Sequence, residues 1–190
     1  GADGSFRLEN LRPAQYRLTV ELPEGWIFSG KSGMELTFAP AEKQTLSISW
    51  QALVSREKLE LGAVKPATVS GDLWLDENKD GARQTEEQRL SGVTLELVNP
   101  ATGNRAAAAT STEDGFRFEN VRPGTYLLRF ELPAQAEAAG ESGASFRQSG
   151  SFMEMTNLTV QEGENVTGIS AGLVSKTSIG GKLTLHLENG

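Results

Sequence analysis

Alternation of period two runs through the middle of the chain. Gly92–Val98 sets Val93, Leu95 and Leu97 against Thr94 and Glu96, and Gly115–Glu119 sets Phe116 and Phe118 against Arg117 and Glu119. Every second side chain of a strand turns to the same side, so each stretch predicts a strand with one buried face. Asp72–Leu75 is short, apolar and β-prone, Thr125–Leu132 is the longest such stretch, and Phe152–Val160 and Val166–Val174 follow. Asn99–Asn104 has the composition of a turn. Ala134–Ala139 alone is helix-prone, and it is too short to stand as a helix. About seven short strands in roughly 110 residues, with no convincing helix, predict an all-β sandwich. Alternate positions of 93–97 and 116–130 should point into its core.

The same pattern occurs twice. Phe6–Pro23 returns as Phe116–Pro133, with eleven of eighteen positions identical at an offset of 110. That offset also aligns Gly30, Ser32 and Gly33 with Gly140, Ser142 and Gly143, and Gly62 and Val64 with Gly172 and Val174. Val69, Gly71, Leu73 and Leu75 align with Ile179, Gly181, Leu183 and Leu185. A register held over so much chain means tandem domains. Residues 67–175 read as one complete repeat, 1–65 as the later part of a preceding one, and 177–190 as the first strand of a following one. Lys65-Pro66-Ala67 is the junction, and Pro66 biases its neighbour toward extended geometry.

Charge and composition narrow the function. The net charge is −7, and no basic cluster could neutralise a row of phosphates, which argues against nucleic acid and anionic lipid. No apolar run reaches the roughly 20 residues of a membrane-crossing helix. Cysteine is absent, so disulfides, thiolate zinc sites and thiol nucleophiles are excluded. Stability must then come from core size, metal or another cross-link.

Gly71-Asp72-Leu73-Trp74-Leu75-Asp76-Glu77-Asn78-Lys79-Asp80-Gly81, followed by Leu90-Ser91-Gly92-Val93-Thr94-Leu95, resembles the opening of the B-type repeats of Gram-positive serine–aspartate-repeat adhesins. Asp114–Tyr126 is similar to a second signature of that family, which is related to the B domains of collagen adhesins. The resemblance implies a transthyretin-like, immunoglobulin-like sandwich placed outside the cell, at the cell surface or cell wall. It implies a spacer that carries a ligand-binding region away from the wall, with neighbouring repeats as partners and a host or matrix ligand elsewhere. Many collagen-adhesin relatives join a Lys on the first strand to an Asn on the last by an isopeptide bond. Val69–Leu75 has no Lys and Val166–Val174 no Asn, so that bond is not expected in residues 67–175. Lys182 lies on the first strand of the next repeat.

Asp76–Glu87 reads D-x-N-x-D-G-x5-E, the full formula of a calcium-binding EF-hand loop. Oxygen donors at alternate positions converge on one hard cation when a glycine in sixth place lets the chain turn, and a twelfth-place Glu closes the shell with two oxygens. Asp76, Asn78 and Asp80 would supply side-chain oxygens, Ala82 its carbonyl, Gln84 a water-mediated contact and Glu87 a bidentate carboxylate to Ca2+. The competing reading is an acidic surface turn, for which Asn, Asp and Gly are favoured anyway.

No catalytic group stands out. His186, the single histidine, aligns with Asp76 at a strand end and reads as a surface residue. Glu9 and Asn10 recur as Glu119 and Asn120, which points to a structural task, turning the chain into Arg-Pro, rather than to a carboxylate pair. Trp74, Phe116, Phe118, Tyr126 and Phe130 read as core rather than a sugar-stacking platform. Trp26 and Trp50, without aromatic counterparts, are the better candidates for a specific surface, though core is the expectation for them too. The expected function is non-catalytic, a calcium-binding spacer repeat; the alternative is a carbohydrate- or protein-binding module attached to a secreted enzyme or adhesin. Residues 1–65 lack two opening strands, and Ile179–Leu187 is an opening strand without a sandwich, so head-to-tail strand exchange between molecules is also an expectation.

Overall fold

Strand Ala67–Leu75 carries the first apolar series of the complete repeat, and its burial shows how the sandwich forms. In the computed structural model, which describes residues 10, 12, 16–20, 22–29, 44–48, 62–139 and 146–176, the chain divides into units Gly1–Pro66 and Ala67–Gly190. The first unit contributes β1 (Tyr16–Val20), β2 (Ile27–Phe28), β3 (Gln44–Ile48) and β4 (Ala63–Val64). The second contributes β5 (Ala67–Leu75), β6 (Thr94–Val98), β7 (Arg105–Thr110), β8 (Phe116–Val121), β9 (Gly124–Glu131), β10 (Ala136–Ala138), β11 (Arg147–Ser149), β12 (Phe152–Val160) and β13 (Asn165–Ser175). No helix occurs among the described residues.

In the second unit a four-stranded sheet in the order β10-β13-β5-β8 faces a five-stranded sheet in the order β11-β12-β9-β6-β7. Val69, Leu73, Phe116, Phe118, Ile169, Ala171 and Leu173 come from the first sheet, and Leu95, Leu97, Tyr126, Leu128, Phe130 and Val160 from the second. These form the core between the two inner faces. The alternation predicted for 93–97 and 116–130 is realised: Leu95, Leu97, Phe116, Phe118, Tyr126, Leu128 and Phe130 are all buried.

Among the described residues the sandwich has nine strands, where about seven were expected. Arg105–Thr110, four alanines between two polar residues, showed no strand signal, yet it pairs antiparallel with β6. Ala136–Ala138, within the helix-prone stretch, lies antiparallel on β13. Here pairing overrides a weak local preference.

The repeat is visible in the register. Tyr16 pairs with Ile48 as Tyr126 pairs with Leu158. Ile27–Val64 and Phe28–Ala63 match Glu137–Val174 and Ala138–Leu173. The turn bond from Trp26 N–H to Pro23 carbonyl, 3.1 Å, is matched by Ala136 N–H to Pro133 carbonyl at 2.9 Å. Asn10 and Asn120, the recurring residues before Arg-Pro, both adopt left-handed backbone, with φ of 58° and 56°. Asparagine enters that region more readily than other non-glycine residues. The turn it makes is sealed by the Tyr126 hydroxyl, which donates to the Arg122 carbonyl at 2.8 Å; burial pushes this phenol's pKa up.

Trp26 departs from expectation. At 37% exposure it is the large apolar side chain left exposed among the described residues, and the Lys65 ammonium stands 5.6 Å from its ring centroid. The turn after Pro23 sets it ahead of β2, where the second repeat has only the small Ala136. Trp50, His186, Lys182, Glu9 and the strand Ile179–Leu187 expected to exchange between molecules lie outside the described residues.

Candidate metal centre

The loop 76–87 begins where β5 ends. Its stem is fixed by backbone bonds: Leu75 N–H to Gln88 carbonyl at 2.9 Å, Leu90 N–H to Leu73 carbonyl at 2.8 Å, and Asp76 N–H to Leu173 carbonyl at 2.8 Å. The chain leaves the sheet with its first donor already held against β13.

Within the loop the carboxylates gather amides. Asp76 is buried; its Oδ1 accepts from Asp80 N–H at 3.2 Å and its Oδ2 from Gly81 N–H at 2.9 Å. Asn78 Oδ1 accepts from Asp80 N–H at 3.0 Å, and Asp80 Oδ1 from Ala82 N–H at 2.8 Å. Asp80 Oδ2 accepts from the side-chain amides of Asn78, 2.9 Å, and Gln84, 2.6 Å. Glu87, also buried, accepts from Glu77 N–H at 3.2 Å and Gln84 N–H at 2.9 Å, one on each oxygen. Lys79 and Gly81, with φ of 60° and 78°, curl the backbone into this nest. The Ala82 amide, first, and the side chains of Asn78 and Gln84 hold the Asp80 pKa below the ordinary carboxylate value against the opposing effect of desolvation.

The residues fit a hard divalent cation. The sequence-predicted donors Asp76, Asn78, Asp80, Ala82, Gln84 and Glu87 lie on this one curled loop. Every donor is oxygen, with neither imidazole nor thiolate, which selects calcium-type ions over zinc or copper. Among the described residues no ion pair reaches Asp76 or Glu87, so two buried carboxylates are compensated by amide dipoles alone. Gln84 Oε1 is buried without a hydrogen-bond partner. Arg83 Nε is likewise without a hydrogen bond, and as a donor it can face only Asp72 or water, whereas the Gln84 oxygen, at the ninth place, could face a cation or its water. In this conformation no group of three acidic or histidine side chains among the described residues is close enough to grip a metal. A cation held here would need these carboxylates turned from the loop amides toward it.

Four residues that hold the loop were not singled out as site residues in the sequence. Trp74 was read as core. It is buried, but it lies on the opposite side of β5 from the core residue Leu73, against Ser170 and Gly172 of β13. Its Nε1 donates to Ser170 Oγ at 2.9 Å. The Arg83 guanidinium stands 5.9 Å from the Trp74 ring centroid. Asp72 Oδ2 lies 3.5 Å from both Arg83 Nε and Arg89 Nε. The available signal was Asp72 and Trp74 at alternate positions of one strand, hence on one face. Phe116, Phe118, Tyr126 and Phe130 are buried in the core and offer no stacking platform.

A model of the SdrD B-like domain family matches residues 67–173. The chain is 30% identical over 136 residues to serine-aspartate repeat-containing protein F of Staphylococcus epidermidis, covering 70% of this chain and 8% of that protein. It is 27% identical over 139 residues to a fibrinogen-binding protein of the same species, covering 70% and 12%. The chain thus spans about a tenth of the length of these relatives. Among solved structures, BcpA, the major pilin subunit of Bacillus cereus, aligns with a TM-score of 0.30 at 12% identity, over 84% of this chain and 59% of that one.

Proposed function

The chain belongs to the SdrD B-like domain family, and from that premise we propose that its complete repeat is a load-bearing spacer whose loop 76–87 takes up calcium. Repeats of this family are parts of extracellular surface adhesins, and this one has its place outside the cell. The observation that carries the spacer reading is the pairing of the first strand with the last. β5 and β13 are parallel neighbours, with Asn165 opposite Thr68 and Leu173 opposite Leu75. The chain therefore enters at one pole, at Ala67, and leaves at the other, at Ser175, roughly 30 Å further along the strands. Tension between the ends loads the bonds of this pair in shear, all at once. Ligand capture, on this reading, falls to other parts of the full-length protein, and no group in the repeat is assigned to catalysis.

Pulling tests the geometry. Handles at residues 65 and 176 should give one rupture at higher force than handles at 65 and a cysteine replacing Gln161, which lies by the entry pole and lets the strands peel apart. Equal forces would refute the shear path. Calorimetric titration tests the metal. Calcium should bind with a Kd on the order of 10⁻⁴–10⁻³ M or tighter, and at a hundredfold excess over Kd should stabilise the repeat by about 2.7 kcal/mol. Glu87→Gln should weaken binding most, by removing the bidentate charge. A melting temperature unmoved by calcium or chelator would sink the metal reading.

A further inference from the structure

Trp74 is only 2% exposed although it stands on the side of β5 that faces away from the core. Something other than the opposite sheet must cover it. Gly172 gives the ring a flat bed, since a Cβ there would lie 2.6 Å from the indole. Ser170 fixes its N–H. Above it stands Arg83, the eighth residue of the loop.

We infer that Arg83 is a positioning residue that latches the loop 76–87 onto the sheet across Trp74 and so presets the loop for its cation. This rests on the calcium reading of the loop. Arg83 is well placed for the task, because its two peptide bonds carry the Ala82 carbonyl, a donor to the ion, and the Gln84 N–H, which is bound to Glu87 Oε2. Holding its side chain fixes both peptide planes. The guanidinium is held by the Trp74 π-face, by the charge of Asp72 at 3.5 Å, and by donation from Nη1 to the Gln84 carbonyl. A planar cation over an aromatic face gains from the ring quadrupole, more so when partly desolvated as here. Asp72 ties in the exit of the loop as well, through Arg89, whose Nη1 donates to the Glu113 carbonyl at 3.1 Å. One carboxylate thus ties the second half of the loop and its exit together beside one tryptophan. An ammonium has the charge but not the plane, so Lys should replace Arg83 only in part.

Tryptophan emission and calcium titration of the whole chain, with Trp74→Phe subtracted to remove Trp26 and Trp50, test the latch. Arg83→Ala should move Trp74 emission to the red in calcium-free buffer and weaken calcium binding about tenfold or more, the usual loss when an outer partner of a metal site is removed. Arg83→Lys should fall between the two, with an unchanged far-ultraviolet spectrum showing that the fold survives. Wild-type emission and wild-type Kd in Arg83→Ala would overturn the inference. A wild-type chain that takes up no calcium would overturn the metal reading and the presetting together. The calcium-free emission of Arg83→Ala would then still decide the latch on its own, a red shift upholding it and no shift removing it.

Discussion

Replacing Gly172 by alanine should unseat Trp74. A Cβ at 172 would stand 2.6 Å from indole Cζ2, 2.8 Å from Cη2 and 3.0 Å from Cε2. Carbon atoms in contact prefer about 3.5–4.0 Å, so the overlap is close to 1 Å at its worst. The backbone of β13 cannot recede, because β5 and β10 hold it on either side and Ala171 and Leu173 are in the core. The indole must therefore lift. It loses its bond to Ser170 Oγ, worth about 1 kcal/mol, and overpacking strain of about 1–2 kcal/mol is added. A total of about 2–3 kcal/mol corresponds to a fall in melting temperature of roughly 10 °C for a unit of this size. The near-ultraviolet signal should report it, and calorimetry should measure it. Trp74→Leu removes the atoms that clash, so the double variant should be more stable than additivity predicts by about 1 kcal/mol or more. A Gly172→Ala protein within about 0.5 kcal/mol of the wild type, or strict additivity in the double variant, would show that the ring does not sit where this reasoning requires.

Two further outcomes follow from other parts of the sandwich. Glu96 is held below the usual glutamate range first by the hydrogen bond from Arg129, then by Arg105, against the effect of burial. A carboxylate depressed in the folded state contributes stability above its unfolded pKa, and that contribution disappears as pH falls through the folded value. Stability of the wild type should therefore drop as pH falls below about 4.5, and Glu96→Gln should flatten the curve over that window; parallel curves would refute the assignment. Asn120→Ala, forcing a Cβ residue without a polar side chain into left-handed backbone, should cost about 1 kcal/mol, while Asn120→Gly stays near wild type in urea unfolding; equal losses would argue against a backbone cause.

The repeat, the main alternating strands and the loop formula were legible because each is a local regularity. Leu95, Leu97, Phe116, Phe118 and Leu128 announce their burial by spacing, and the buried positions match. What was missed depends on partners distant in the chain. Arg105–Thr110 is a strand because β6 offers it hydrogen bonds, not because alanine favours extension. Trp74 reads as core from its large apolar ring, yet the bare Gly172 and the loop's own Arg83 bury it on the outer face. Its place could be inferred only once β5 was known to run beside β13. The loop shows the opposite balance. Its donor types were legible residue by residue, whereas the amide bonds that now occupy Asp76, Asp80 and Glu87 depend on a backbone curl at Lys79 and Gly81 that the formula only hints at.

The seam between the first and last strands also bears on covalent cross-linking. Both strands prove longer than their sequence boundaries, and β13 begins with an asparagine, Asn165, which the shorter reading had left out. Its register partner is Thr68, and the Thr68 hydroxyl donates to Asn165 Oδ1 at 2.7 Å. An isopeptide bond needs a lysine amine to attack the amide carbon and expel ammonia, and β5 carries no lysine. A hydroxyl in that place gives a hydrogen bond at the surface instead. With no cysteine in the chain, the seam then depends on its parallel ladder and on the core behind it. Intact-mass measurement should find no deficit of roughly 17 Da mapping to residues 67–175, and peptide analysis should recover Thr68 and Asn165 on separate fragments. A linked peptide spanning β5 and β13 would show that a covalent tie, and not shear-loaded hydrogen bonds, holds the repeat against tension.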